Sequence, residues 1–300
     1  MSLKVFLELV EIKAKTASVL PFLIGLCFSW YNYGSLNIGY VIIYFIAMFI
    51  FNMAVDMLDN YNDYHKATDV HDYKEKTNII GRENLDDKLV LKWMTVMIVV
   101  SAIMGIMLAT KVGWPLLWMG MFCYFVGIFY SSGPKPLSSL PLGEVFSGFT
   151  MGFMISLICV YLNTYETFTW NWATIGAIAI ISLPNTLWIA NLMLANNLCD
   201  LDEDEKNNRF TLVHYIKRDG AKKLFVTLNI LAFLAIIVAV LMGVAPWTML
   251  LTLAIVPFVV KETKKLMAVQ IKSQTFICAV KILAIGSFVQ VVTFAVGMFN

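Results

Sequence analysis

Charge is what this sequence has least of. Asp, Glu, Lys and Arg make up 14% of the 300 residues, against 59% hydrophobic, whereas soluble domains run near a quarter charged and under half apolar. A water-facing surface cannot be built from so little charge. A soluble globular fold is therefore excluded, and the bilayer is the solvent that suits this composition. Net charge is +2, too weak to argue for nucleic acid. No polar stretch is long enough to link two domains, so residues 1–300 are read as one membrane domain. Cys27, Cys123, Cys159, Cys199 and Cys278 form no CxxC pair and mostly fall in apolar runs. They are read as buried thiols, which excludes a zinc site and a disulfide framework. The N-terminus mixes Lys4, Glu8, Glu11, Lys13 and Lys15 and lacks an A-x-A site, so no cleaved leader is expected. The apolar runs do not alternate in and out, which excludes a β-barrel.

What is present is a series of apolar runs of spanning length, roughly 17–25 residues. Nine are expected to form membrane helices: 16–34, 37–58, 89–110, 114–131, 143–163, 172–195, 221–243, 246–262 and 277–298. The eighth is short and bracketed by Pro246 and Pro257. Backbone polar groups in lipid must bond internally, so the runs are helical. Basic residues orient the bundle. Lys4, Lys13, Lys15, Lys66, Lys74, Lys76, Arg82, Lys88, Lys92 and Lys135 fall on one side. Lys206, Arg209, Lys217, Arg218, Lys222, Lys223, Lys261, Lys264, Lys265 and Lys272 join them, while the other side has Lys111 between spans. The rich side is cytoplasmic, which places the N-terminus inside and the C-terminus outside.

Two connections, 59–88 and 196–220, are long, and each begins with acids as a helix leaves the membrane. The first holds Asp56, Asp59, Asn60 and Asp63, then Asp69 and Asp72; the second holds Asn196, Asp200, Asp202, Glu203 and Asp204. Asp56, Asp59 or Asn60, and Asp63 are spaced i, i+3 or i+4, i+7; Asn196, Asp200 and Asp204 are spaced i, i+4, i+8. Each set therefore projects from one helix face. Stacked carboxylates repel unless solvated or held by a cation. A solvated acidic loop accounts for either cluster alone, but two clusters at span ends on one membrane side point to a bound hard cation. Mg²⁺ fits, because it takes a few carboxylates plus substrate phosphate oxygens. Ca²⁺ is disfavoured by the lack of an EF-hand loop. Arg82, Arg209 and Lys135 lie beside the acids and complete the chemistry of a diphosphate site, although the positive-inside bias by itself explains many of the basic residues.

These motifs resemble those of the UbiA-type intramembrane prenyltransferases, and within them the naphthoate branch of menaquinone synthesis. Asp59-Asn60-Tyr61-Asn62-Asp63, continuing through Lys66 to Asp69, stands where that family carries its first motif. Leu194-Ala195-Asn196-Asn197-Leu198-Cys199-Asp200-Leu201-Asp202-Glu203-Asp204 is similar to its second, and this is the most specific match. Tyr130-Ser131-Ser132-Gly133-Pro134 and Pro141-Leu142-Gly143-Glu144 also resemble that branch. The sequence departs from the family pattern at Asp59, where Asn is usual, at Ala67, where Gly is common, and at Cys199, where Arg is common. Asp56, Asp59 and Asp63 thus compete for the same roles.

The resemblance implies nine helices in a ring around a central cavity, with two cytoplasmic cap loops. It implies transfer of a polyprenyl group from polyprenyl diphosphate to a dihydroxynaphthoate, with loss of CO₂ and diphosphate. Asp56, Asp59, Asp63, Asn196, Asp200 and Asp204 are the expected ligands of two Mg²⁺ ions, with Asp56 in reserve. Arg82, Arg209 and Lys135 are expected on the diphosphate. Tyr130, Tyr61 and Tyr64 are candidates to line the site, Tyr130 with its ring face toward the allylic cation, although interfacial aromatics are common for other reasons. The rival acceptors are 4-hydroxybenzoate and haem. A transporter or channel is the rival class; it would hold its acids near mid-bilayer rather than at span ends.

Overall fold

The computed structural model describes residues 1–66 and 73–298. Asp69, Asp72 and Ala67 lie outside the described residues. Every regular element among the described residues is helical. The chain folds as two compact units: Met1–Thr16 with Ile42–Pro136, and Ala17–Val41 with Leu137–Asn300.

Among the described residues, eight helices are long and apolar enough to cross a membrane: Ile12–Tyr33, Ile38–Lys66, Asp87–Val112, Trp114–Ser131, Gly143–Thr164, Trp172–Cys199, Leu212–Leu241 and Lys272–Gly297. They correspond to eight of the nine expected spans. The remaining run, 246–262, is not among them. It forms a 3₁₀ helix, Trp247–Ile255, that turns into the α-helix Val256–Ala268. Pro246 sits at the cap of the first piece and Pro257 at the start of the second, where a missing N–H and a fixed φ are best tolerated.

The two long connections are also more helical than expected. The Ile38–Lys66 helix carries the first motif from Asp56 to Lys66, and short helical turns stand at Tyr73–Thr77 and Ile79–Arg82. The second motif passes from the end of Trp172–Cys199 into the short helix Leu201–Lys206, and then comes the start of Leu212–Leu241, which kinks at Lys217 (φ 60°, ψ 168°). His65 and Lys66 close the Ile38–Lys66 helix, where positive charge meets the negative end of the dipole. The helices thus outlast their apolar runs.

In the first unit, Asp87–Val112 and Trp114–Ser131 bury little of their apolar surface. Ile103, Ile106 and Met107 are each more than half exposed. Helices apolar all round need lipid on the open side. A compact core lies beneath the first motif, where Leu9, Val10, Met57, Ile80 and Met94 pack together.

The second unit packs by close approach and polar bonds, as helices must where lipid gives little hydrophobic drive. The Gly143–Thr164 helix loosens to a π-helical stretch at Gly148–Met154. There a Cβ on Gly152 would lie 2.4 Å from Thr186 Cα on the Trp172–Cys199 helix. Asn185 Nδ2 donates to Gln290 Oε1 (2.9 Å), and Gln290 Nε2 donates to the Ile181 carbonyl (3.0 Å). Ser156 Oγ donates to the Pro21 carbonyl (2.8 Å).

Gly152→Ala should therefore lower stability by about 1–3 kcal/mol, because the clashing atom is backbone and cannot retract. Gly105, in a helix interior with nothing within 4 Å of an added Cβ, should accept Ala with no loss. Thermal unfolding in detergent, read by dye capture of the buried cysteines, checks both.

Candidate active site

The first motif lies on one continuous helix, so its register can be read directly. At about 100° per residue, Asp59 and Asp63 share a central sector. Asp56 and Asn60 flank it on one side, Asn62 and Lys66 on the other. Asp56 is engaged: Lys15 Nζ pairs with its Oδ2 and also donates to the Asn52 carbonyl (3.2 Å). Asn60 Nδ2 donates to the Leu9 carbonyl (3.3 Å), and Asn78 Nδ2 to the Asn60 carbonyl (2.9 Å). On the other flank Asn62 Nδ2 donates to Ser132 Oγ (2.9 Å) and Lys66 Nζ to the Ser131 carbonyl (2.8 Å). The helix end is thus held from both sides, with Asp59 and Asp63, both half-buried, between the two sets of bonds.

The other expected residues of this unit fall around that end. Tyr130 and the exposed Lys135 flank the Ser131–Ser132 turn that Asn62 and Lys66 bind. Tyr61 and Tyr64 pack against the core cluster, and Lys74 Nζ lies 4.7 Å above the Tyr64 ring. Gly81 passes so close to the Lys74 backbone that a Cβ there would overlap its carbonyl. Arg82 is already paired, with Glu8 at 2.5 Å and Glu83 at 3.3 Å. These carboxylates hold its guanidinium, raising its pKa from an already high value.

In the second unit the α-helix ends at Cys199, yet the i, i+4, i+8 stacking survives the break. Asp200 takes a capping conformation (φ −95°, ψ 4°). Its N–H still reaches the Asn196 carbonyl (3.0 Å), and the Asp204 N–H reaches the Asp200 carbonyl (2.8 Å). Asn196, Asp200 and Asp204 are therefore chained one turn apart. Asp204 is 5% exposed. Its Oδ1 lies 3.4 Å from Arg209 Nε, while Oδ2 has no hydrogen-bond partner among the described residues. Burial pushes the Asp204 carboxyl up to about 6, with Arg209 pulling the other way. Asn208, in a left-handed turn (φ 56°), folds the chain back so that the Arg209 N–H bonds the Asp204 carbonyl (2.8 Å).

An oxygen-only donor set with a bare, buried carboxylate oxygen suits a hard divalent cation. Among the described residues no three His, Cys, Asp or Glu side chains form a metal cluster by themselves. Mg²⁺ typically takes only one or two carboxylates and completes its shell with water and phosphate oxygens, so substrate is a required part of such a site. Sequence reasoning missed one cation here. Lys272 Nζ pairs with Asp200 Oδ2, whereas the sequence offered it only as one more lysine of the basic side. Arg218 similarly pairs with Asp202 (2.8 Å), at a more exposed position.

Fold and acids together define an all-helical, multi-pass membrane enzyme whose polar chemistry sits at helix ends. The chain belongs to the UbiA prenyltransferase family, whose model matches residues 18–285, across parts of both units. It is accordingly a prenyltransferase. It is 25% identical over 241 residues to a 1,4-dihydroxy-2-naphthoate octaprenyltransferase of Bacillus subtilis (strain 168), covering 80% of this chain and 75% of that protein. Among solved structures it is similar to a UbiA homolog from Aeropyrum pernix K1 (TM-score 0.68, 14% identity, 93% of this chain and 98% of that one). It is also similar to a UbiA homolog from Archaeoglobus fulgidus bound to GPP and Mg²⁺ (TM-score 0.66, 10% identity, 99% and 100%). The two likenesses establish the fold.

The Lys15–Asp56 pair makes a separate claim testable. Lys15 is 3% exposed, so Lys15→Met would strand a largely buried carboxylate. Stability should drop by about 2–4 kcal/mol, and Lys15→Met/Asp56→Leu should recover most of it. Thermal unfolding of the three variants decides whether Asp56 is anchored this way.

Proposed function

We propose that this enzyme transfers a polyprenyl group from polyprenyl diphosphate to 1,4-dihydroxy-2-naphthoate, releasing CO₂ and diphosphate and giving demethylmenaquinone in its reduced, quinol form. The observation that carries the reading is the Asn196–Asp200–Asp204 stack, with its bare Asp204 oxygen and its two neighbouring cations, Arg209 and Lys272. The 25% identity to a protein of that name supports the choice of acceptor, while the GPP and Mg²⁺ bound to a solved structure of the same fold support a prenyl diphosphate donor and a divalent cation.

Asn196, Asp200 and Asp204 would hold Mg²⁺ from the second unit, and Asp59 and Asp63 from the first, two ions in all. Asp56, paired with Lys15, stays in reserve. When bound, Mg²⁺ neutralises negative charge on the leaving diphosphate. In the second unit Arg209 and Lys272 would add positive charge for a diphosphate; in the first, Lys135 and Arg82 are proposed for the same task. The C–O bond of the allylic diphosphate breaks with its electron pair on the diphosphate. The allylic carbon then bonds the electron-rich ring carbon, and the ring recovers aromaticity by losing CO₂. Water must be kept from the allylic cation. Tyr130 and Tyr61 are proposed as ring contacts that exclude it. Residues 1–300 act as one catalytic domain in the cell membrane. The Trp247–Ala268 segment serves as a ninth crossing, with the N-terminus and both acidic sets cytoplasmic and the C-terminus outside.

Purified protein incubated with labelled polyprenyl diphosphate and dihydroxynaphthoate should form prenylated product, and EDTA should stop it. Asp63→Asn and Asp200→Asn should each cut turnover by about 100-fold or more while the protein stays folded. Product from 4-hydroxybenzoate instead of the naphthoate would overturn the acceptor. Full turnover in the Asp63→Asn/Asp200→Asn double variant would overturn the metal assignment.

A further inference from the structure

Glu144 opens the Gly143–Thr164 helix, in a stretch that the sequence singles out and the proposed reaction leaves without a task. It is 3% exposed. Its Oε1 accepts a hydrogen bond from Asn197 Nδ2 at 2.8 Å, and Asn197 is itself 3% exposed. Its Oε2 has no hydrogen-bond partner among the described residues. A buried carboxylate is a costly way to join two helices when an apolar pair would serve. What it adds is direction, since a charge-assisted bond fixes the distance and angle of the amide that donates it.

That amide belongs to the residue next to Asn196. Consecutive helical residues point about 100° apart, so holding the Asn197 side chain inside the protein turns Asn196 away from it. Asn196 is accordingly only half-buried. Asp200 follows one turn on, its N–H bonded to the Asn196 carbonyl. Leu194, Ala195 and Leu198 are fully buried beside Asn197 and fix the helix as a body. The final turn needs a further restraint, because the α-helix stops at Cys199 and Asp200 takes a capping conformation.

We propose that Glu144 is a positioning residue for the metal–diphosphate site, acting through Asn197 to set the turn that carries Asn196 and Asp200. The inference rests on the proposed assignment of those two residues as metal ligands, and the experiment separates the two claims. Mn²⁺ binding to the purified full chain is measured by electron paramagnetic resonance, with inorganic pyrophosphate and without acceptor. Groups that orient metal ligands typically matter by 10–100-fold, so Glu144→Ala should weaken binding at least about tenfold, and Glu144→Gln by no more than about threefold. The glutamine keeps an oxygen for the Asn197 amide. Glu144→Leu fills the space without the bond and should match Glu144→Ala, which guards against reading a cavity as a positioning effect. Asp200→Asn is the control and should lose binding. Wild-type binding in Glu144→Ala or Glu144→Leu, or equal loss in Glu144→Gln and Glu144→Ala, would overturn the proposal while leaving the ligand assignment standing. Full binding in Asp200→Asn would overturn the assignment, and this inference with it.

Discussion

Carboxylates held at the ends of apolar helices need positive charge, and the rest of this protein's organisation follows from that need. In the chain alone, side chains meet it: Lys15 on Asp56, Lys272 on Asp200 and Arg209 on Asp204. The compensation is incomplete at Asp204, where burial outweighs Arg209 and one oxygen has no partner among the described residues. A divalent cation brought in with a diphosphate would relieve that deficit, and the lysine and arginine would then face phosphate oxygens instead of carboxylates. On the proposed reading, the same basic residues that stabilise the acids here would attract the diphosphate.

The rigidity of the acids comes from the helices that carry them. Asp59 and Asp63 lie on a helix end tied to the Leu9 carbonyl on one flank and to the Ser131–Ser132 turn on the other. Asn196, Asp200 and Asp204 stay in step through backbone bonds that bridge the break at Asp200. Groups that must sit within a fraction of an ångström of a productive geometry are better placed on such elements than on free loops. The connections are helical where loops were expected because backbone bonding continues past the ends of the apolar runs.

The sequence showed the parts that depend on composition and period. Eight spans and both acid sets could be read because apolar length and i, i+4 spacing are one-dimensional signals. The run at 246–262 was harder. Its apolarity is plain, but only coordinates reveal that it starts after Pro246 as a 3₁₀ piece and turns into an α piece at Pro257. The choice among Asp56, Asp59 and Asp63 was open in sequence because all three share a helix face. The structure adds that Lys15, forty-one positions away in the chain, pairs with Asp56, a contact that no local spacing announces.

Lys272 and Glu144 mark the limit of reading by pattern. Lys272 was hidden among lysines that topology explained equally well, and only its contact with Asp200 sets it apart. Glu144 stood in a recognisable stretch, but nothing in its neighbours along the chain says that it bonds Asn197, fifty-three positions on. Both act across long sequence separations, where no period carries the information. A site made of helix ends is specified twice. Local spacing lays out the acids, and distant polar partners bond the turns that present them. On the proposed reading, a substitution that respects the first rule and breaks the second would leave the motif intact and the enzyme impaired.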